Sequence, residues 1–146
     1  MGERTIVELN TKQEIRSAFP VMSQLRTKVK EEEYVDLVWE AREVDRYHLF
    51  ALYNSGEIVA VIGFKEMTTL YYGRFIWVCD LVTTLSQRSK GYGEELLTFT
   101  ENWALKQGYS SIALSSGISR ERAHKFYEEN MDYKRVSYVF KKSFQD

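Results

Sequence analysis

The segment Gln87-Arg88-Ser89-Lys90-Gly91-Tyr92-Gly93-Glu94 constrains this chain more than any other, because it stands between an apolar run of strand length, Phe75 to Thr84, and a helical stretch from Tyr92 to Gln107. Glycine lets backbone N–H groups turn towards one point with no Cβ in the way, and a helix N-terminus adds partial positive charge and unsatisfied donors. Arg88 and Lys90 bring full charges, and a guanidinium holds phosphate oxygens in a bidentate manner. By geometry this is an anion site built as strand, loop and helix.

Two phosphate-binding loops fail on residues. A Rossmann fingerprint needs a small sixth residue, whereas counting from Gly91 puts bulky Leu96 there. A P-loop needs Gly-Lys followed by Ser or Thr, and here Lys90 precedes Gly91. A bare G-x-G also admits a plain strand-to-helix turn with solvated basic residues around it.

The remaining elements follow from periodicity and punctuation. Thr5 to Asn10 has the β-branched content of a strand, and Thr11 opens a helical stretch that Pro20, lacking an N–H, must interrupt or restart. Glu31 to Glu43 reads as a helix with Tyr34, Val35, Val38 and Trp39 on one face. Tyr47 to Tyr53 and Ile58 to Met67 read as strands divided by the hairpin signal Asn54-Ser55-Gly56. Leu96, Leu97, Trp103 and Ala104 form the apolar stripe of the next helix, with Gly108 as its C-cap signal. Ser110 to Leu114 is a short strand, Ser119 an N-cap for a helix to about Asn130, and Tyr133 to Phe144 a closing strand.

No repeat, linker or low-complexity tract divides the chain, so residues 1–146 are expected to form one domain. A hydrophobic content of 44% is enough to build its core. Twenty Lys and Arg against 21 Asp and Glu give no basic field, which argues against nucleic acid as partner. Cys79 is the only cysteine, in keeping with a reducing compartment, so a cytoplasmic location is expected. No apolar run approaches the roughly 18 residues of a membrane span, and no signal core or zinc-ligand spacing is present; His48 and His124 stand alone.

The pattern Arg88-x-x-Gly91-x-Gly93 resembles motif A of the GNAT acetyltransferases, which bind the pyrophosphate of acetyl-CoA on such a loop. Asp80-Leu81-Val82-Thr83-Thr84 looks like the family's fourth strand, and Ala123-His124-Lys125-Phe126-Tyr127 like the A-x-x-F-Y element of its motif B helix. The order of elements matches across nearly the whole chain. Leu85 stands where the family often has proline, Met131-Asp132 where it often has Gly-Phe, and Arg120 where many members carry Asn.

The resemblance implies an α/β fold of α+β type, with a mixed central sheet of six to seven strands flanked by about four helices. It implies an N-acetyltransferase that moves the acetyl group of acetyl-CoA to a primary amine of a small molecule or peptide by direct attack on the thioester, without a metal. A homodimer fits the family's habits. The cofactor-binding residues it implies are Leu81, Val82 and Thr83 for the pantetheine arm, Arg88, Ser89, Lys90, Gly91, Tyr92, Gly93 and Glu94 for the pyrophosphate, and Arg120. Tyr127 is the implied proton donor, since a phenol with a reference pKa of about 10 can share a proton with a departing thiolate. A tyrosine on an apolar helix face is also a common core residue.

Asp80, beside the expected thioester, is the candidate base or the group that binds the acceptor's cation, with a strand-end carboxylate as the plain reading. Glu66 is a weaker alternative base, and Cys79 a packed side chain. The acidic residues from Glu31 to Asp45 would attract a cationic amine, and Tyr71, Tyr72 and Trp77 could wall its groove, although such faces are commonly just solvated or packed. A catalytically idle acyl-CoA-binding module of the same fold is the alternative function.

Overall fold

The computed structural model describes residues 3–145, which divide into two compact units meeting in sequence at Leu114 and Ser115.

The first unit is a five-stranded mixed sheet in the order β1-β2-β3-β4-β5, with β1 Arg4–Glu8, β2 Tyr47–Asn54, β3 Glu57–Thr69, β4 Gly73–Thr83 and β5 Ser111–Leu114. The first four strands pair antiparallel in sequence order, and β5 lies parallel to β4. The parallel pairing requires a crossover. Helix α4, Tyr92–Lys106, supplies it.

Local chemistry explains the boundaries. Helix α1, Lys12–Ser17, starts on a capping box: Glu14 N donates to Thr11 Oγ1 at 3.1 Å, and Thr11 N donates to Glu14 Oε1 at 3.0 Å. Pro20 sits in the first turn of α2, Phe19–Met22, where its missing N–H costs nothing. Helix α3, Glu31–Asp45, stops at Arg46 in the left-handed region. The β2–β3 hairpin turns on Ser55 and Gly56, both at positive φ, as a tight two-residue connection requires.

Strand alternation divides the core into two layers. Leu49, Ala51, Val61 and Val82 pack with Leu9, Ile15, Tyr34, Val35 and Val38 under α1 to α3. His48, Phe50 and Phe64 face α4, where Phe50 meets Phe99 at 4.9 Å and Phe64 meets Trp103 edge-on at 5.0 Å. Those offset and edge-on contacts suit the ring quadrupoles, and each adds about 0.5–1.5 kcal/mol beyond burial.

The second unit holds α5, Glu121–Lys125, continued by a single π turn over Phe126–Asn130. Its helix starts one residue later than expected: Arg120, with no side-chain cap bond, takes the N-cap position instead of Ser119. The expected strand Tyr133 to Phe144 does not form, so the described sheet has five strands and not six or seven, and the first unit carries four α-helices, α1 to α4, as expected. The composition of 133–144 favours a strand, but a strand persists only where a neighbour satisfies its backbone groups. No strand pairs with it among the described residues, and Val136, Tyr138, Val139, Phe140 and Phe144 stay exposed.

Candidate active site

Strand β4 has a divided edge. On one side it is paired with β3 as far as Thr83, with Leu81, Val82 and Thr83 opposite Ile62, Val61 and Ala60. On the other side β5 covers only Phe75 to Val78. From Cys79 to Thr83 no strand lies along that second edge among the described residues. Outward-facing N–H and C=O groups at such an edge are a template for an extended ligand.

The open edge runs directly into the glycine segment. A short 3-10 turn over Leu85–Gln87 leads to Ser89 at φ 66° and Gly91 at φ 84°, and Gly91 is the N-cap of α4 with no side chain capping the first turn. A Cβ on Gly91 would meet nothing within 4 Å, so the glycine serves backbone conformation and the space before the helix stays open. Arg88 and Lys90 are exposed beside it, with Arg88 Nε donating to the Thr83 carbonyl at 3.4 Å and Lys90 Nζ to Gln87 Oε1 at 2.9 Å. Uncapped helix donors, two cations and open space are what a pyrophosphate requires, so the residues present fit the cofactor. Tyr92 contributes only its backbone there, since its side chain is buried and its hydroxyl accepts from Asn54 Nδ2 at 3.0 Å.

Asp80 lies near the start of the open edge, at an irregularity of the sheet. Gly63 of β3 faces Asp80 and Phe64 faces Val78, so Cys79 is the extra residue of a bulge that re-aims the strand. Tyr47 Oη donates to Asp80 Oδ2 at 2.7 Å. Arg26 Nε donates to Asp80 Oδ1 at 2.9 Å, while its Nη2 donates to the Cys79 carbonyl at 2.7 Å. Burial, reinforced by the Asp80 charge, holds the Tyr47 phenol well above its ordinary value. Burial and the same charge push the Cys79 thiol up to about 11, so it stays a protonated packed group and not a nucleophile.

Arg26 and Gln24, on the loop between α2 and α3, were not legible as site residues. Gln24 ties that loop to the end of β4, its Nε2 donating to Thr84 Oγ1 at 2.9 Å and its Oε1 accepting from Leu85 N at 2.7 Å. The α2–α3 loop therefore borders Asp80 through Arg26 and the end of β4 through Gln24.

Other expected groups lie elsewhere. Glu66 faces Ile76, roughly 13 Å along β4 from Asp80 at 3.3 Å per residue. It belongs to a separate cluster in which His48 Nδ1 meets Glu8 Oε2 at 2.9 Å and His48 Nε2 meets Glu66 Oε2 at 2.8 Å, with Tyr109 also donating to Glu66. Tyr71 and Tyr72 occupy the β3–β4 turn, beyond the start of β4 and roughly 23 Å along the strand from Asp80. The acidic face of α3 is partly neutralised, since Arg16 pairs with Glu31 at 3.2 Å and with Glu32.

Tyr127 and Arg120 lie in the second unit. Tyr127 is half-buried in the π turn, with its ring 5.3 Å from Phe126 and 6.0 Å from Tyr133, and its carbonyl accepts from Tyr133 N at 2.8 Å. Burial raises its phenol, against the opposing charge of Arg120. A phenol so placed keeps its proton at neutral pH.

Comparison with known proteins follows the same outline. Residues 11–133 match the model of the Acetyltransferase (GNAT) family. An uncharacterized N-acetyltransferase of Bacillus subtilis, YhdJ, is 39% identical over 135 residues, covering 92% of this chain and 95% of the relative. An aminoalkylphosphonate N-acetyltransferase of Salmonella typhimurium is 31% identical over 91 residues, 62% of this chain and 58% of that protein. Among solved structures, the aminoglycoside N-acetyltransferase AAC(6')-Iy in complex with CoA superposes with a TM-score of 0.86 at 13% identity, covering 99% of this chain and 97% of that one. The last likeness is one of fold.

Proposed function

Because the chain belongs to the GNAT acetyltransferase family, we propose that it transfers the acetyl group of acetyl-CoA to a primary amine of a small molecule or peptide. The observation that carries this reading is the open edge of β4 from Cys79 to Thr83, which leads through the Leu85–Gln87 turn and the glycine loop to the uncapped N-terminus of α4.

In this reading the backbone of Leu81, Val82 and Thr83 pairs with the pantetheine arm as an added strand would. Ser89, Gly91, Tyr92, Gly93 and Glu94 offer backbone donors to the pyrophosphate, with Arg88 and Lys90 neutralising it and Arg120 as a further cation for the cofactor. Acetyl-CoA supplies, when bound, a thioester whose carbonyl carbon accepts the amine. Asp80 binds the acceptor's ammonium and takes its proton, directly or through water, and Tyr127 Oη gives a proton to the departing thiol. The raised Tyr127 phenol supports the second role, because a group that keeps its proton is available to give it. A small-molecule amine is also supported by the relatives, one named for an aminoalkylphosphonate and one for an aminoglycoside.

Thermal unfolding with and without acyl-CoAs tests the donor. A ligand at 100 times its Kd adds about 2.7 kcal/mol to the native state, so acetyl-CoA should raise Tm clearly, and longer acyl-CoAs report the chain-length preference. No shift with any CoA ester would contradict the reading.

A further inference from the structure

The environment of Asp80 contains a cation that belongs to the chain itself. The carboxylate is fixed: it is 16% exposed, sits beside a bulge in a paired strand, and accepts from buried Tyr47. Its guanidinium partner is open to solvent, since the Arg26 side chain is 46% exposed and comes from the loop between α2 and α3. The two acceptors that Arg26 engages, Asp80 Oδ1 at 2.9 Å and the Cys79 carbonyl at 2.7 Å, come from consecutive residues of β4. A carboxylate oxygen and a carbonyl oxygen converging on one N–H-bearing cation are also what a primary ammonium, with its three donors, would select.

We propose that Arg26 is an internal stand-in for the acceptor: its guanidinium fills a cation subsite made by Asp80 and the Cys79 carbonyl, and a primary alkylammonium enters by exchanging with it. The inference rests on the acetyltransferase reading for the role of this face, and it makes Arg26 a specificity residue. An acceptor must present a protonated amine to displace a guanidinium, so amines that are uncharged at the assay pH are disfavoured. Exchange is feasible because an ion pair with a solvent-exposed partner contributes little, whereas leaving the largely buried carboxylate without a cation would be costly. Tyr47 holds Oδ2 in place throughout, so the subsite keeps its shape while its occupant changes.

Calorimetric titration of the full chain with 1,4-diaminobutane, and with 1,4-butanediol as the uncharged control, tests this without relying on turnover. Arg26→Gln should bind the diamine about three- to five-fold more tightly than wild type, Arg26→Lys should remain near wild type, and Asp80→Asn should lose binding whether or not Arg26 is also replaced. Methylguanidinium, the side chain's own head group, should compete with the diamine in Arg26→Gln, and the diol should bind none of them. Unchanged or weaker diamine binding in Arg26→Gln, or binding that survives Asp80→Asn, overturns the proposal. Its failure is separable from that of the acetyltransferase reading. Diamine binding as expected with no acetyl transfer to any amine sinks the enzyme and keeps the subsite; transfer whose KM ignores Arg26→Gln sinks the subsite and keeps the enzyme.

Discussion

Tyr47 reaches Asp80 across Gly63: its hydroxyl donates to Asp80 Oδ2 at 2.7 Å, and a Cβ on Gly63 would lie 1.8 Å from that hydroxyl oxygen. The glycine is therefore what admits the tyrosine to the carboxylate. Gly63→Ala should expel or tilt Tyr47, cost about 1–3 kcal/mol in denaturant unfolding, and raise KM for the amine while leaving acetyl-CoA affinity unchanged. Tyr47→Phe, which keeps the ring and removes the donor, should cost about 1–3 kcal/mol through the acceptor left unsatisfied. Wild-type stability in both variants would remove Tyr47 from the account of Asp80.

Arg88→Glu places a negative charge where the pyrophosphate is expected. Loss of a charge-assisted contact of about 1.5–3 kcal/mol predicts a Kd for acetyl-CoA raised by about 10- to 100-fold, with the gap from wild type widest at low salt. Arg88 is exposed, so unfolding midpoints should hardly move. Equal affinity in the two proteins would contradict the pyrophosphate assignment.

Stability should depend on pH at both extremes for identifiable reasons. Burial alone would raise the Glu66 carboxyl, but hydrogen bonds from Tyr109 and His48 and the Arg46 charge outweigh it and hold the group below its ordinary 4.5. A depressed carboxyl contributes stability that is present above pH 4.5 and is lost as the pH falls through its folded value, so Glu66→Gln should flatten the acid limb of unfolding free energy against pH. Tyr47 has the opposite sign: burial raises its phenol above 10.0, so the unfolded chain loses that proton first and stability falls as the pH rises beyond 10. Tyr47→Phe should flatten the alkaline limb, and limbs identical to wild type would refute both assignments.

Tyr127→Phe removes the candidate proton while keeping the ring. General acid catalysis contributes about 10²- to 10⁴-fold, so kcat should fall by at least that lower figure with little change in acetyl-CoA binding. The wild-type rate should also decline on the alkaline side as the Tyr127 phenol titrates above its ordinary 10.0, a limb that the variant lacks. A variant as active as wild type would return Tyr127 to its reading as a core tyrosine.

What the sequence made legible is what short-range chemistry decides. The helix start at Thr11, the break at Pro20, the Asn54-Ser55-Gly56 hairpin and the glycine loop before α4 each depend on residues a few positions apart. Arg26 and Tyr47 were not legible as partners of Asp80 because they stand 54 and 33 residues from it, and only the loop after α2 and the pairing of β2, β3 and β4 bring them together. His48 likewise looked solitary until the sheet placed Glu8 and Glu66 on either side of its ring. Tyr133 to Phe144 shows the converse: strand composition is a local property, whereas a strand needs a neighbour that no local pattern supplies.

The central claim is that the β4 edge and the α4 N-terminus hold acetyl-CoA for attack by an amine. Release of CoA thiol from acetyl-CoA, followed across a panel of primary amines that includes diamines, measures it most directly. The account predicts amine-dependent release that saturates in both substrates and is greatly reduced in Arg88→Glu at subsaturating acetyl-CoA. Tight acetyl-CoA binding with no release above hydrolysis for any amine would contradict it, and would make the chain an acyl-CoA-binding module without transferase activity.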